Sequence, residues 1–161
     1  MQTVTALFDD RDQAVAAVRA LTQHETSSAD IAIVSGGAAD MPELPFELTP
    51  VVLPGIGPGT ASGWLIAETA GTVALSGGSL LGGLANAGVP EAKAHVYAEG
   101  VGRGGTLLAV RTKDGQVQAV KDILRGAGRI DIEARRTEYM AEGWAGVDET
   151  VPAPPADRED S

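Results

Sequence analysis

The side chains best placed to bind a metal lie on one predicted helix that begins after Pro90. Glu91, His95 and Glu99 follow one another at positions i, i+4 and i+8, so they would share one face of that helix. Carboxylate and imidazole groups are ligands for divalent transition metals, and two such helices could hold one ion between them. A single helix directs too few ligands at one point. We therefore interpret this row as a solvated helical face and expect neither a bound metal nor another cofactor.

A second candidate for chemistry is a run of glycines between residues 54 and 63. Its spacing resembles a phosphate-binding loop, but the Gly-Lys-Ser/Thr of a Walker loop is absent, and Pro54 and Pro58 disrupt the frame of a dinucleotide site. Nucleophilic catalysis is not indicated either, because the sequence has no cysteine, only two histidines and no Gly-x-Ser-x-Gly motif. We therefore predict a non-enzymatic protein without catalytic residues.

The strongest functional signal is a set of small and aliphatic residues whose spacing lets one helix pack closely against another. The uncharged stretch Thr69–Pro90 that contains them is long enough to cross a membrane, but Glu91 follows at once and no basic or aromatic residues anchor that end. We therefore favour an assembly surface, for a homo-oligomer or a protein partner, over membrane association. The residues predicted to form this surface are Gly78, Leu80, Leu81, Gly82, Gly83 and Leu84.

The charge of the chain argues against one class of partner. Twelve Lys and Arg against 22 Asp and Glu give a formal charge of −10, whereas nucleic-acid binding depends largely on neutralising phosphates. Glu142–Ser161 holds six acidic residues and one basic residue, and we interpret it as a solvated acidic end. The N-terminus lacks a basic-then-apolar signal. We therefore expect a cytoplasmic protein without a nucleic-acid partner.

A near-repeat at an offset of 102 residues indicates how the chain is organised. Each copy has the pattern strand–helix–strand. The strands of the first copy are Thr3–Phe8 and Ile31–Val34, and those of the second are Thr106–Arg111 and Arg129–Arg135. We predict an α+β, ferredoxin-like βαβ–βαβ sandwich of four strands, with Thr3–Phe8 and Thr106–Arg111 adjacent at the sheet centre. A doubly wound parallel sheet is the alternative.

Both copies would belong to a single domain, residues 1–141. Between them lies a Gly-rich insert, residues 49–90, which contains ten of the chain's 21 glycines. We expect this insert to be extended at first and helical from Trp64 onward. Residues 142–150 are predicted to dock on the domain, because an aromatic side chain is large enough to bury. Residues 151–161 are rich in proline and acidic residues and are predicted to be disordered.

Four segments in this order carry a resemblance to a known family: FDDRDQA (Phe8–Ala14), PGIGP (Pro54–Pro58), GVPEAKAHVYAEGVGRGGTLLAVR (Gly88–Arg111) and GWAGVDE (Gly143–Glu149). Together they resemble the bacterial general stress protein family (heat-induced, YflT-like), over most of the chain to about Glu149. The resemblance implies a small cytoplasmic, stress-associated protein with no established catalytic residues.

The sequence therefore predicts a non-enzymatic stress-associated protein that acts by self-association or partner binding through the Gly-rich insert. Two alternatives remain open at this point. One is a regulatory module that binds a small ligand at the sheet or at a subunit interface, as ferredoxin-like domains often do. The other is a stress protein associated peripherally with membranes.

Overall fold

A computed structural model describes most of the chain. The described residues are 2–24, 26–27, 30–36, 49–53, 57–64, 66–69, 72–75 and 80–144. Within them, the strands are β1 (Gln2–Phe8), β2 (Ile31–Gly36), β3 (Thr49–Leu53), β4 (Gly57–Ser62), β5 (Ile66–Thr69), β6 (Thr72–Leu75) and β7 (Thr106–Thr112). The helices are α1 (Arg11–Gln23), α2 (Leu80–Asn86), α3 (Glu91–Gly102), α4 (Val117–Gly126) and α5 (Ile132–Ala141), and a 3₁₀ turn spans Asp114–Gln116.

Most of the described strands form the main sheet, in the order β1-β7-β2-β4-β3, with every neighbouring pair antiparallel. β7 pairs with β1 along its whole length and also with β2. β1 and β2 are therefore parallel strands separated by β7, the arrangement of a split βαβ unit. The predicted adjacency of Thr3–Phe8 and Thr106–Arg111 is confirmed. Their predicted place at the sheet centre is wrong for β1, which lies at the edge.

Helices cover both faces of the main sheet, and the alternation of side chains along β7 shows why. Leu107 and Ala109 point to the face that packs with α2, α3 and α5. Leu108 and Val110 point to the opposite face, which packs with α1 and α4. All four side chains are fully buried. A strand that is apolar on both faces needs cover on both faces, so the molecule has three layers.

The second predicted βαβ unit is not completed by a strand, so this part of the ferredoxin-like prediction is wrong. Arg129–Arg135 was expected to be an outer strand, but α5 begins inside it at Ile132. The Asp131 carboxylate accepts hydrogen bonds from the backbone N–H groups of Glu133 and Ala134, at 3.0 and 3.2 Å. This N-cap satisfies two of the backbone N–H donors at the start of the helix. It stabilises a helix more than the short alternation of apolar and charged residues favours a strand. The α+β class is correct.

The insert is less helical than predicted. Ile66–Thr69 and Thr72–Leu75, expected to be helical, form an antiparallel hairpin of β5 and β6, and β4 pairs with both β2 and β3. Isoleucine, valine and threonine recur in this region, and β-branched residues favour strands. Among the described residues of the insert, α2 is the one helix. Within the described residues, no helix combines the length and the apolar character needed to cross a lipid bilayer.

Candidate functional site

A groove with a volume of about 510 Å³ runs beside the outer edge of β1. Thr3–Thr5 of β1 form its floor. α4 forms one wall, and α3 together with the start of α5 forms the other. We call this feature the β1 groove. It exists because the chain turns into α5 at the point where a fourth strand was predicted.

The backbone of β1 is only partly satisfied on the side that faces the groove. Because β1 pairs with β7, alternate residues direct their backbone groups outward, and these are the odd-numbered ones. The Leu7 carbonyl accepts a hydrogen bond from the Ile130 N–H at 2.8 Å, and the Thr5 carbonyl accepts one from the Tyr97 hydroxyl at 3.3 Å. Within the described part of the chain, the Thr5 N–H and both backbone groups of Thr3 have no hydrogen-bond partner and face the groove. Edge groups of this kind can pair with an added strand.

Tyr97 is the one phenol that lines the groove among the described residues. Its hydroxyl accepts a hydrogen bond from the Thr5 side chain at 2.8 Å in addition to donating to the Thr5 carbonyl. Burial raises the pKa of Tyr97, because the charged phenolate would lose its hydration, and the Thr5 hydrogen bond opposes this only in part. Tyr97 therefore stays neutral at physiological pH and serves as a hydrogen-bonding group rather than a base.

The walls of the groove carry an excess of positive charge on a protein of net charge −10. Lys93, Lys121 and Arg129 line it, and none of them forms an ion pair with the described residues. Arg125 is held only by a long contact of 3.5 Å to Asp122. The groove therefore attracts anionic groups, although the net charge of the protein is negative.

Two acidic residues at the start of α5 also line the groove, but they offset this charge only in part. The Asp131 carboxylate is engaged in capping α5, and Glu133 is exposed to solvent. Four cations against two carboxylates leave a net charge of about +2 in the groove.

The candidate metal-binding row, interpreted from the sequence as a solvated helical face, is divided between two separate contacts. His95 Nε2 lies 3.6 Å from a carboxylate oxygen of Glu91, whereas Glu99 is bound at 2.7 Å by Arg103. Arg103 also contacts Glu142 at 3.0 Å, so Glu99 belongs to a cluster at the far end of α3. The described residues contain no group of three side chains that could hold a metal ion. The structure does not bring these three residues to one point.

The predicted assembly surface is largely internal. Leu80 and Leu84 are 1% and 0% exposed, and Gly83 is buried with them against α3 and the sheet. Leu81 and Gly82 are half-buried, and Leu81 packs on the same core. Gly78 lies outside the described residues. Leu80 and Leu84 are therefore covered within this chain by α3 and the sheet, and Leu81 and Gly82 are the described members of the predicted surface that stay partly exposed.

One ion pair holds α5, and with it one wall of the groove, to the turn after β1. Arg135 donates two hydrogen bonds to the Asp9 carboxylate, at 3.0 and 2.9 Å. These bonds lower the pKa of Asp9 from its ordinary value of 3.8, and partial burial opposes the shift in part. The stabilisation is present above that ordinary pKa and is lost as the pH falls through the lower folded value.

We expect Asp9→Asn to reduce the free energy of unfolding at pH 7 by less than about 1 kcal/mol, since the Asp9 side chain is 64% exposed and solvent screens the pair. The difference from wild type should shrink as the pH falls through the lowered folded pKa of Asp9 and disappear once both forms lack the charge. Urea unfolding at pH 7 and in acid measures both values. A difference that persists in acid would show that Asp9 stabilises the fold by other means.

Comparison of the chain with protein-family models, curated proteins and solved structures finds no match. The chemistry of the β1 groove is therefore the basis on which a function is assigned.

Proposed function

We propose that this is a non-enzymatic, stress-associated protein that works by binding a partner segment in the β1 groove. The observation that carries the proposal is an open strand edge, at Thr3 and Thr5, inside a groove whose walls carry Lys93, Lys121 and Arg129, which form no ion pair with the described residues. The resemblance to the general stress protein family supports the stress role. A binding surface on β1 replaces the insert helix as the contact site.

The chemistry of the groove favours binding over catalysis. Its side chains with titratable groups are lysines, arginines, two carboxylates and the neutral Tyr97. Neither of the two histidines, His24 and His95, lines it. A nucleophile next to a base is the usual requirement for covalent catalysis, and this set supports none. The volume of about 510 Å³ lies within the range of about 300–1,000 Å³ typical of binding pockets.

The topology also supports the binding of an extended chain. In a ferredoxin-like sheet, a fourth strand would pair with the outer edge of the first strand. We propose that the β1–α1–β2 unit, with β7 inserted, is the part of that fold this protein retains. The groove then lies where the fourth strand is missing, and an added strand would complete the sheet.

Reversal of the charge on one wall tests the proposal. In cells that lack this protein, the double variant Lys121→Glu and Arg125→Glu should fail to restore survival after heat stress. The control variant Arg19→Glu and Arg136→Glu makes the same change in charge at exposed sites that do not line the groove. It should restore survival as wild type does. Full rescue by the groove variant would contradict the proposal.

Self-association through the insert is a second candidate, and the β5–β6 hairpin favours it. Among the described strands, β5 and β6 pair only with each other. A two-stranded sheet is marginally stable in water, so a second copy could stabilise this one. Amide exchange of the hairpin should then slow as the protein concentration rises, while exchange of β7 stays constant. Exchange independent of concentration would contradict self-association here.

A further inference from the structure

We infer that the partner of the β1 groove is an extended protein segment with acidic side chains at two alternate positions, both facing α4, and an uncharged side chain between them. This inference rests on the proposed function and names the chemistry of the partner. Three observations support it: the distribution of charge between the two walls of the groove, the spacing of the cations on α4, and the position of the open backbone groups of β1.

The two walls of the groove lie on opposite faces of the main sheet. α4 packs on the face to which Val4 and Ala6 point, whereas α3 and α5 pack on the face to which Leu7 points. Successive side chains of a strand point to opposite faces, so a strand added beside β1 would direct them to the two walls in turn. Every second residue of a partner segment therefore meets α4, and the residues between meet α3 and α5.

The positive charge of the groove is concentrated on the α4 wall. On the opposite wall, Lys93 and Arg129 are matched by the two carboxylates of Asp131 and Glu133. Arg129 lowers the pKa of the Tyr97 phenol and Glu133 raises it, so both charges lie within electrostatic reach of this wall. The excess of about two positive charges therefore belongs to α4. An uncharged side chain of the partner suits the balanced wall better than a charged one.

The α4 wall presents two cations at a spacing close to that of a strand. Lys121 and Arg125 both line the groove and are four residues apart, which separates them by about 6 Å along the helix axis. Residues i and i+2 of a strand lie about 6.6–6.8 Å apart on one face. Each of two acidic side chains at these positions can therefore meet one cation. Adjacent acidic residues would instead point to opposite walls, and one of them would approach the carboxylates of α5.

The open backbone groups of β1 fix the register of the partner. Thr3 directs both its N–H and its carbonyl into the groove, whereas Thr5 offers its N–H alone because its carbonyl accepts from Tyr97. The Ile130 N–H occupies the next outward carbonyl, so pairing must end at Thr5. The partner residue opposite Thr3 shares its face and points to the wall of α3 and α5. Its two neighbours in the partner point to α4, which places the acidic pair there.

A second copy of this edge is a poorer occupant. β1 contains no acidic residue, so a second β1 offers no carboxylate to Lys121 and Arg125. The second groove would also bring its own cations against the first pair, and like charges in such a contact repel. Lysines beside an edge strand are a common guard against this kind of pairing. The charge of the groove therefore favours an acidic partner over edge-to-edge pairing of two copies.

Titration of the isotope-labelled full chain with three peptides, blocked at both ends, tests the inference. The first, Ser-Thr-Glu-Val-Glu-Thr-Ser, has alternating glutamates. The second, Ser-Thr-Val-Glu-Glu-Thr-Ser, has the same composition with adjacent glutamates, and in the third both glutamates of the first are replaced by glutamine. The alternating peptide should shift the amide signals of Thr3 and Thr5 and bind about tenfold more tightly than either of the others.

Two variants of the chain separate strand pairing from attraction between charges. Thr3→Pro removes an N–H that does not pair with β7, so it should abolish peptide binding while the amide signals of β7 show that the sheet is intact. Lys121→Glu with Arg125→Glu should also abolish binding. The control, Arg19→Glu with Arg136→Glu, changes the same charge outside the groove and should bind the alternating peptide as wild type does.

The remaining outcomes overturn the inference and leave the proposed function to its own test. Equal binding of the alternating and adjacent peptides, or binding that survives Thr3→Pro, would show attraction between charges without strand pairing. Absence of binding by all three peptides would also overturn it. So would an oligothymidine strand that binds the groove more tightly than the alternating peptide, which would indicate a nucleic-acid partner. The proposed function would fail only if Lys121→Glu with Arg125→Glu restored survival after heat stress.

Discussion

Gly36→Ala should lower the free energy of unfolding by about 1–3 kcal/mol or more, because forcing an extra methyl group into a packed site usually costs that much. Gly36 ends β2, and its N–H donates to the Gly105 carbonyl at 3.2 Å. A Cβ added there would overlap the carbonyl oxygen of Val101 in α3. Because the obstacle is backbone, either α3 or the end of β2 must move. Urea unfolding at neutral pH measures the loss.

Gly126→Ala is the matched control for this change. Gly126 is the last residue of α4, and an added Cβ would meet nothing within 4 Å. Alanine is favoured over glycine in helices by about 0.8–1 kcal/mol, so this variant should be as stable as wild type or slightly more so. Similar unfolding curves for the two variants would show that α3 does not press on β2 as closely as the structure indicates.

Strands that are apolar on both faces can be predicted from sequence, and β7 is the example here. Leu107, Leu108, Ala109 and Val110 are consecutive apolar residues, and a strand with that composition must lie inside a sheet. β1 has threonines at positions 3 and 5, so one face of it is less apolar. That difference is the sequence signal that β1, although paired with β7, lies at the edge.

The errors in the fold prediction arise where local hydrogen bonds compete with an alternating pattern. Ile130 and Ile132 alternate with charged residues, which is typical of a strand, but Asp131 can also cap a helix. The cap forms, and α5 takes the place of the strand. The insert was expected to be helical from Trp64 onward, but its β-branched residues, such as Thr72 and Val73, favour strands.

The β1 groove could not be predicted from spacing, because its residues come from distant parts of the chain. Lys93 lies on α3, Lys121 on α4 and Arg129 before α5. Lys121 and Arg125 are four residues apart and so share a helix face, but exposed cations at that spacing are common on solvated helices. These cations line a groove because no described strand pairs with the outer edge of β1. That absence depends on the capping of α5.

Leu84→Ala should have the largest effect on stability, a loss of about 2–5 kcal/mol, because Leu84 is fully buried and alanine would leave a cavity. The change also decides between two roles for α2. If Leu84 packs inside one chain, the loss is the same at low and high protein concentration. If α2 instead contacts a second copy, the stability of the native protein rises with concentration, and the variant loses that dependence.

Met140→Ala provides the comparison needed to interpret that measurement. Met140 is a large apolar residue on α5 with 53% of its surface exposed, so its truncation should change the free energy of unfolding by less than about 0.5 kcal/mol. The two variants are compared by urea unfolding at several protein concentrations, with the solution mass measured in parallel. A Leu84→Ala protein that unfolds like Met140→Ala but has a smaller solution mass than wild type would return α2 to the role of an assembly surface. A large loss at every concentration, with unchanged mass, would assign Leu84 to the core and leave the β1 groove as the main candidate for partner binding.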